Sequence, residues 1–189
     1  SRWIRTECWV TQLRNLPGTV PVNGLVFDRC TGDMCPGLKG WQEAVSSFEE
    51  MPLSYGYYTP EPAGMEKNGG IPLVLWLHGA GEGGRETRVA YTGNKVTALS
   101  SAEIQRKLGG AAWILAPQCP TVWMDDGKEK LGRSNESIYV RPLKALLDEF
   151  TSARPGLVDR KRIYIGGLSN GGFMTVRMPR DFPDFFAGA

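Results

Sequence analysis

The chain reads as an α/β protein with a mostly parallel sheet and helices on both faces, and three observations lead there. Apolar runs at 72–77, 111–116 and 162–166 have the length of buried strands. Stretches with helical spacing fall between and after them, the alternation that builds a parallel sheet covered on both sides. Two of the runs break abruptly into glycine-bearing turns, at His78-Gly79 and at Gly167-Leu168-Ser169-Asn170-Gly171.

The first 50 residues are the least regular. Trp9-Val10 and Gly24-Leu-Val-Phe27 suggest short strands among loops rich in Pro, Gly and Cys, and we assign residues 1–50 to the same domain as 51–189. From Leu53 the pattern settles. A strand near 53–59 is followed by the Pro-Ala-Gly-Met-Glu-Lys-Asn-Gly-Gly connection and the strand 72–77. A helix is expected over 94–107 and a strand over 111–116. Tyr139, Leu143, Leu146, Leu147 and Phe150 recur on one helical face, and strand 162–166 leads into a helix after Ser169.

Composition excludes several function classes. With 41% hydrophobic and 22% charged residues the chain is an ordinary globular one, and a net charge of +2, evenly spread, argues against nucleic acid. Arg160-Lys161-Arg162 reads as a solvated turn before a strand. No run of about 18 apolar residues exists, so no membrane helix is expected. The chain opens at Ser1 with no signal peptide pattern. The four cysteines, at 8, 30, 35 and 119, show no CxxC spacing and the chain has one histidine, so neither a metal nor another cofactor is expected. Cys30 and Cys35 could close a small disulfide loop, which favours an extracellular protein, while Cys119 reads as a buried thiol. Asn135-Glu136-Ser137 matches a glycosylation sequon, but its place before an apolar helical face favours a capping role.

The chemistry concentrates in the two turns. In G-x-S-x-G the serine sits on a sharp strand-to-helix turn, exposed to substrate, and glycines at 167 and 171 remove Cβ atoms that would clash there and tolerate strain. Ser169 is the candidate nucleophile. An oxyanion hole for it needs the backbone N–H of Asn170 and a second N–H from the loop after an earlier strand, here Ala80 or Gly81, with His78 and Gly79 supporting that loop. Gly79, Gly81 and Gly84 also satisfy G-x-G-x-x-G. A dinucleotide site is rejected, because Glu82 would stand where a pyrophosphate must sit and the region about 20 residues on reads as helix. Trp123, Met124 and Asp125, after a Pro-Gln-Cys-Pro turn, are candidates to line a substrate cleft, although Trp and Met serve as often in cores.

Six blocks carry a resemblance to a known family: Tyr-Gly-Tyr-Tyr-Thr-Pro (55–60), Leu-His-Gly-Ala-Gly-Glu-Gly-Gly (77–84), Leu-Ala-Pro-Gln-Cys-Pro (115–120), Trp123-Met124-Asp125, Arg162-Ile163-Tyr164 and Gly-Leu-Ser-Asn-Gly-Gly (167–172). From about Pro52 onward the chain resembles the α/β-hydrolase esterases of the dienelactone-hydrolase, feruloyl-esterase and prolyl-oligopeptidase-like group. The resemblance implies a parallel-centred sheet, Ser169 as nucleophile, an oxyanion donor at the His78-Gly79 turn, and an Asp and a His that follow the serine in the chain.

The chain departs from that pattern after Ser169. The sequence stops at Ala189, 20 residues on, and its only histidine is His78, upstream of the serine and in the oxyanion turn. We therefore expect this to be the N-terminal part of an α/β-hydrolase domain, its sheet edge covered and its triad completed by a second polypeptide carrying the Asp and His, from a nicked precursor or a separate fragment, or else a chain that is simply truncated. Three readings follow: a serine hydrolase acting on small-molecule or polysaccharide-linked carboxylic esters, a prolyl-oligopeptidase-like peptidase, or a non-catalytic binding module with the hydrolase shell.

Overall fold

The structure, a computed structural model, describes residues 20–22, 25–27, 38–61, 69–129, 131–132 and 135–189. Strands β1 (Val20–Val22) and β2 (Leu25–Phe27) pair antiparallel with each other, which places a strand at the Leu-Val-Phe run. The Trp9-Val10 strand and the Cys30–Cys35 loop lie outside the described residues.

Among the described residues the main sheet has five strands: β3 (Trp41–Val45), β4 (Ser54–Tyr58), β5 (Ile71–Leu77), β6 (Trp113–Pro117) and β7 (Val158–Gly167), in the order β3-β4-β6-β5-β7. Helix α1 (Thr87–Thr92) precedes a 3₁₀ segment, Gly93–Ser100, and α2 (Ala102–Lys107); α3 (Val140–Ser152) and α4 (Asn170–Asp181) flank β7 in sequence. The α/β class is as expected. The sheet is parallel on one side, where β5 lies between β6 and β7, but β4 pairs antiparallel with both β3 and β6, so the described sheet is mixed. β3 and β4 enter as a hairpin across residues 46–53, where Leu53 N–H donates to Ser46 Oγ at 2.9 Å, and a hairpin can only add antiparallel strands.

Side chains alternate between two apolar layers. Leu73, Leu75 and Leu77 of β5, with Trp113 and Leu115 of β6 and Ile163 and Ile165 of β7, pack with α3 and α4. Leu143, Leu146, Leu147 and Phe150, the predicted helical stripe, are buried there, and each such side chain contributes about 1.5–3 kcal/mol of transfer free energy. On the opposite face Ala116 and Trp76 meet Ala90, Tyr91 and Val96 of α1 and the 3₁₀ segment. Gly56 makes room for that layer, since a Cβ at this position would lie 2.2 Å from the Tyr91 ring. Tyr91 in turn stacks on Trp41 at 4.9 Å.

The single helix expected over 94–107 is instead two elements. Asn94 and Lys95 adopt left-handed backbone angles (φ 49° and 60°), and Ser101 turns extended and caps α2, its Oγ accepting from Ile104 N–H at 3.4 Å. The free side of β7 takes its first partner within the chain. Ala187 N–H donates to the Ile163 carbonyl at 2.7 Å, and Ile165 N–H to the Gly188 carbonyl at 3.1 Å, in parallel sense. No helix of the described residues is long and apolar enough to cross a membrane.

Candidate active site

The site forms at the carboxyl ends of β5 and β7, a parallel pair, where open α/β sheets present their binding crevices. Beyond Leu77 the chain leaves the sheet through His78 and Gly79 into a 3₁₀ turn, Ala80–Glu82. Glu82 N–H returns to the Gly79 carbonyl and Gly83 N–H to that of Ala80. Ala80 and Gly81 open the turn, where a helical turn has no internal acceptor for its first N–H groups, and both residues are exposed.

His78 is 3% exposed and both of its ring nitrogens are engaged. Nδ1 lies 2.7 Å from the Gly79 carbonyl, which can only accept, so Nδ1 carries the proton. Nε2 accepts from Cys119 N–H at 2.9 Å. This is the neutral tautomer, and burial holds the imidazole below its ordinary pKa. The ring ties the turn to the loop after β6.

The second half is the elbow. Leu168 N–H extends the β5–β7 pairing by donating to the Leu77 carbonyl at 3.0 Å, and Ser169 then reverses the chain with φ 51° and ψ −112° before α4 begins at Asn170. Ser169 is exposed. The glycines beside it provide clearance. A Cβ at Gly167 would lie 2.6 Å from the Gly171 carbonyl carbon, and one at Gly171 only 2.1 Å from the Leu77 carbonyl oxygen. Neither glycine has a positive φ, so the backbone strain expected of them rests on the serine itself. Gly79 faces this elbow: a Cβ there would be 3.7 Å from Ser169 Cβ and 3.6 Å from the Leu168 carbonyl oxygen. The Gly79–Glu82 turn and the serine are thus neighbours across a position that has no side chain.

The loop after β6 binds both halves together. Gln118 Nε2 donates to the Glu82 carbonyl at 2.7 Å, Gly84 N–H to that of Cys119 at 2.9 Å, and Gly83 lies so close to the Thr121 carbonyl oxygen that a Cβ would be 1.9 Å from it. Trp123 is fully buried, not a cleft wall. Its indole N–H donates to the His78 carbonyl at 2.9 Å, and its backbone N–H to Asn170 Oδ1 at 2.5 Å. Asp125 is likewise buried, accepting from the Thr121 hydroxyl at 2.7 Å and Gly127 N–H at 2.9 Å, while Met124 is half-buried. A large ring beside two polar loops satisfied both the cleft reading and the core reading; burial decides for the core at Trp123 and Asp125.

One feature of the site went unread in the sequence. The Glu82 carboxylate lies against Gly79, whose Cβ position is 3.1 Å from Oε2, and it accepts a hydrogen bond from the Asn94 side-chain amide. Asn94 reaches it from a left-handed backbone position 12 residues on, and no spacing rule announces such a contact.

No family model matches the chain. Poly(3-hydroxyalkanoate) depolymerase C of Paucimonas lemoignei is 29% identical over 153 residues, 77% of this chain and 32% of that protein. The Nocardia uniformis subsp. tsuyamanensis protein NocK, named as an esterase, is 33% identical over 121 residues, 63% of this chain and 31% of its own length. The chain therefore spans about a third of the length of these curated relatives. Among solved structures, a thermostable esterase superposes with a TM-score of 0.66 at 25% identity, over 80% of this chain and 40% of that one. A parallel pair ending in an exposed, strained serine beside a glycine turn agrees with these similarities: the chain has the α/β-hydrolase fold and is similar to esterases that share it.

Proposed function

We propose that the protein is a serine hydrolase that cleaves carboxylic esters through an acyl-enzyme on Ser169. The observation that carries this reading is the exposed Ser169, held in a strained backbone position across Gly79 from the Ala80–Gly81 backbone. In the proposed step Ser169 Oγ attacks the ester carbonyl carbon and gives its proton to a base. The carbonyl oxygen becomes an oxyanion held by Asn170 N–H and by Ala80 or Gly81 N–H. Collapse breaks the bond to the alcohol, which leaves with a proton, and water then releases the acid and restores the serine.

His78 does not fill the role of the base in this scheme. Its protonated nitrogen is committed to Gly79 and the other to Cys119. We assign the base to a histidine, oriented by an acidic residue, in sequence outside these 189 residues, following the family order in which both come after the nucleophile. The substrate class is a small-molecule or polymer-linked ester; the polyester named for the Paucimonas relative contains the same bond.

The test uses the chain together with the segment that supplies the base. Short aryl and acetyl esters should be turned over, a fluorophosphonate should label Ser169, and Ser169→Ala should abolish both. Residues 1–189 alone should show negligible turnover, restored when the C-terminal part is added. Turnover that survives Ser169→Ala would place the nucleophile elsewhere, and a clear preference for peptides over esters would favour the peptidase reading.

A further inference from the structure

An oxyanion hole assembled from two loops works only if the loops hold a fixed separation, because its donors have to stand about 2.7–3.1 Å from an oxygen that exists only in the transition state. Here the two loops leave different strands, and one residue is hydrogen-bonded to both. Trp123 gives its indole N–H to the carbonyl of His78, one residue before Gly79, and its backbone N–H to the side chain of Asn170, the residue whose own N–H is the second proposed donor. Trp123 is fully buried, and its ring is pinned edge-on by Tyr139 at 5.7 Å and lies 5.2 Å from the His78 ring.

We propose that Trp123 is a positioning residue that cross-braces the oxyanion hole, and that the Asn170 side chain is its counterpart on the elbow, so that the pair sets the distance between the two donors. The proposal rests on the reading of Ser169 as nucleophile. Neither side chain touches substrate. The indole acts through the His78 peptide, and Asn170 Oδ1 through the Trp123 peptide. The Asn170 backbone N–H, the catalytic donor, is present whatever side chain stands there. A loss of rate in Asn170→Ala therefore reports position, not a missing donor.

The experiment compares Trp123→Phe, Asn170→Ala and the double variant in the protein assembled with its base-bearing segment. The number of competent sites is set by end-point titration with a fluorophosphonate. Trp123→Phe keeps an aromatic ring of smaller volume and deletes one donor; Asn170→Ala deletes one acceptor. Each should lower kcat per titrated site by about 10- to 100-fold, the scale of a misplacement near 1 Å, with KM changed less than about threefold. Affinity for a boronic acid that mimics the tetrahedral intermediate should fall in proportion to kcat/KM. The double variant should be little worse than the poorer single one, since both break the same brace.

Wild-type kcat per titrated site in both single variants would overturn the proposal, as would strictly multiplicative losses in the double variant or boronate affinity that does not move with kcat/KM. Ester turnover that persists in Ser169→Ala would instead remove the underlying reading, so the two failures are distinguishable.

Discussion

Gly171 stands against Leu77 with no room for a side chain: a Cβ at Gly171 would lie 2.1 Å from the Leu77 carbonyl oxygen and 2.6 Å from its carbon. This contact lets α4 start directly against the end of β5, and so brings Ser169 beside the turn at Gly79. Gly171→Ala should therefore push helix and strand apart and lower the unfolding free energy by about 3 kcal/mol. Gly172→Ala is the contrast, because its nearest neighbour would be the Gly167 carbonyl oxygen at 3.9 Å, an ordinary contact. That variant should be stabilised by about 0.5–1 kcal/mol through helix propensity. Urea unfolding of both variants checks the pair, and equal midpoints would remove the close-packing argument.

Ser169 carries the strain of the elbow. At φ 51° and ψ −112° a side chain costs about 1–3 kcal/mol that glycine avoids, part of which glycine returns through its freer unfolded chain. Ser169→Gly should be more stable than Ser169→Ala by about 1 kcal/mol, with both inactive. Thermal midpoints decide, and an alanine variant as stable as the glycine one would show that the turn is relaxed.

Acid should loosen the turn after β5 through His78. Burial keeps its folded-state pKa below the ordinary 6.5, so the unfolded chain takes up a proton first as pH falls. Stability contributed by neutral His78 is complete above the unfolded value. It declines as pH drops below about 6.5, by at most about 1.4 kcal/mol per pH unit, and levels off once the folded imidazole also protonates. A protonated Nε2 can no longer accept the Cys119 N–H. Urea unfolding between about pH 5 and pH 7.5 should show this slope in the wild type and lose it in His78→Asn. The same slope in the variant would assign it to other groups.

Cys119 is fully buried and free, and burial pushes its thiol up to about 12. Iodoacetamide at about pH 8 should leave it unmodified in the folded protein and alkylate it in guanidinium. Peptide mapping of residue 119 reads this directly; labelling in the native state would mean that the loop after β6 opens.

The main strands and the helical stripe were legible because each depends on local pattern. An apolar run such as 72–77 is too short for a buried helix and long enough for a strand, and Leu143, Leu146, Leu147 and Phe150 repeat with helical spacing. The break at Ser101 was hidden, because serine is tolerated within a helix and only its extended backbone makes it a cap. The antiparallel joining of β4 to β6 was hidden too, since pairing partners lie far apart in sequence and both senses accept the same apolar residues.

By itself the sequence determined the α/β class and the serine at a strand-to-helix turn, because both follow from spacings within a few residues. Only the tertiary structure decided what holds the site. The placing of Trp123 in the core, the hydrogen bonds that occupy both nitrogens of His78, and the approach of Glu82 to Asn94 each join segments brought together by packing. The fate of a polar or aromatic side chain depends on which partners arrive, and those partners come from the fold as a whole.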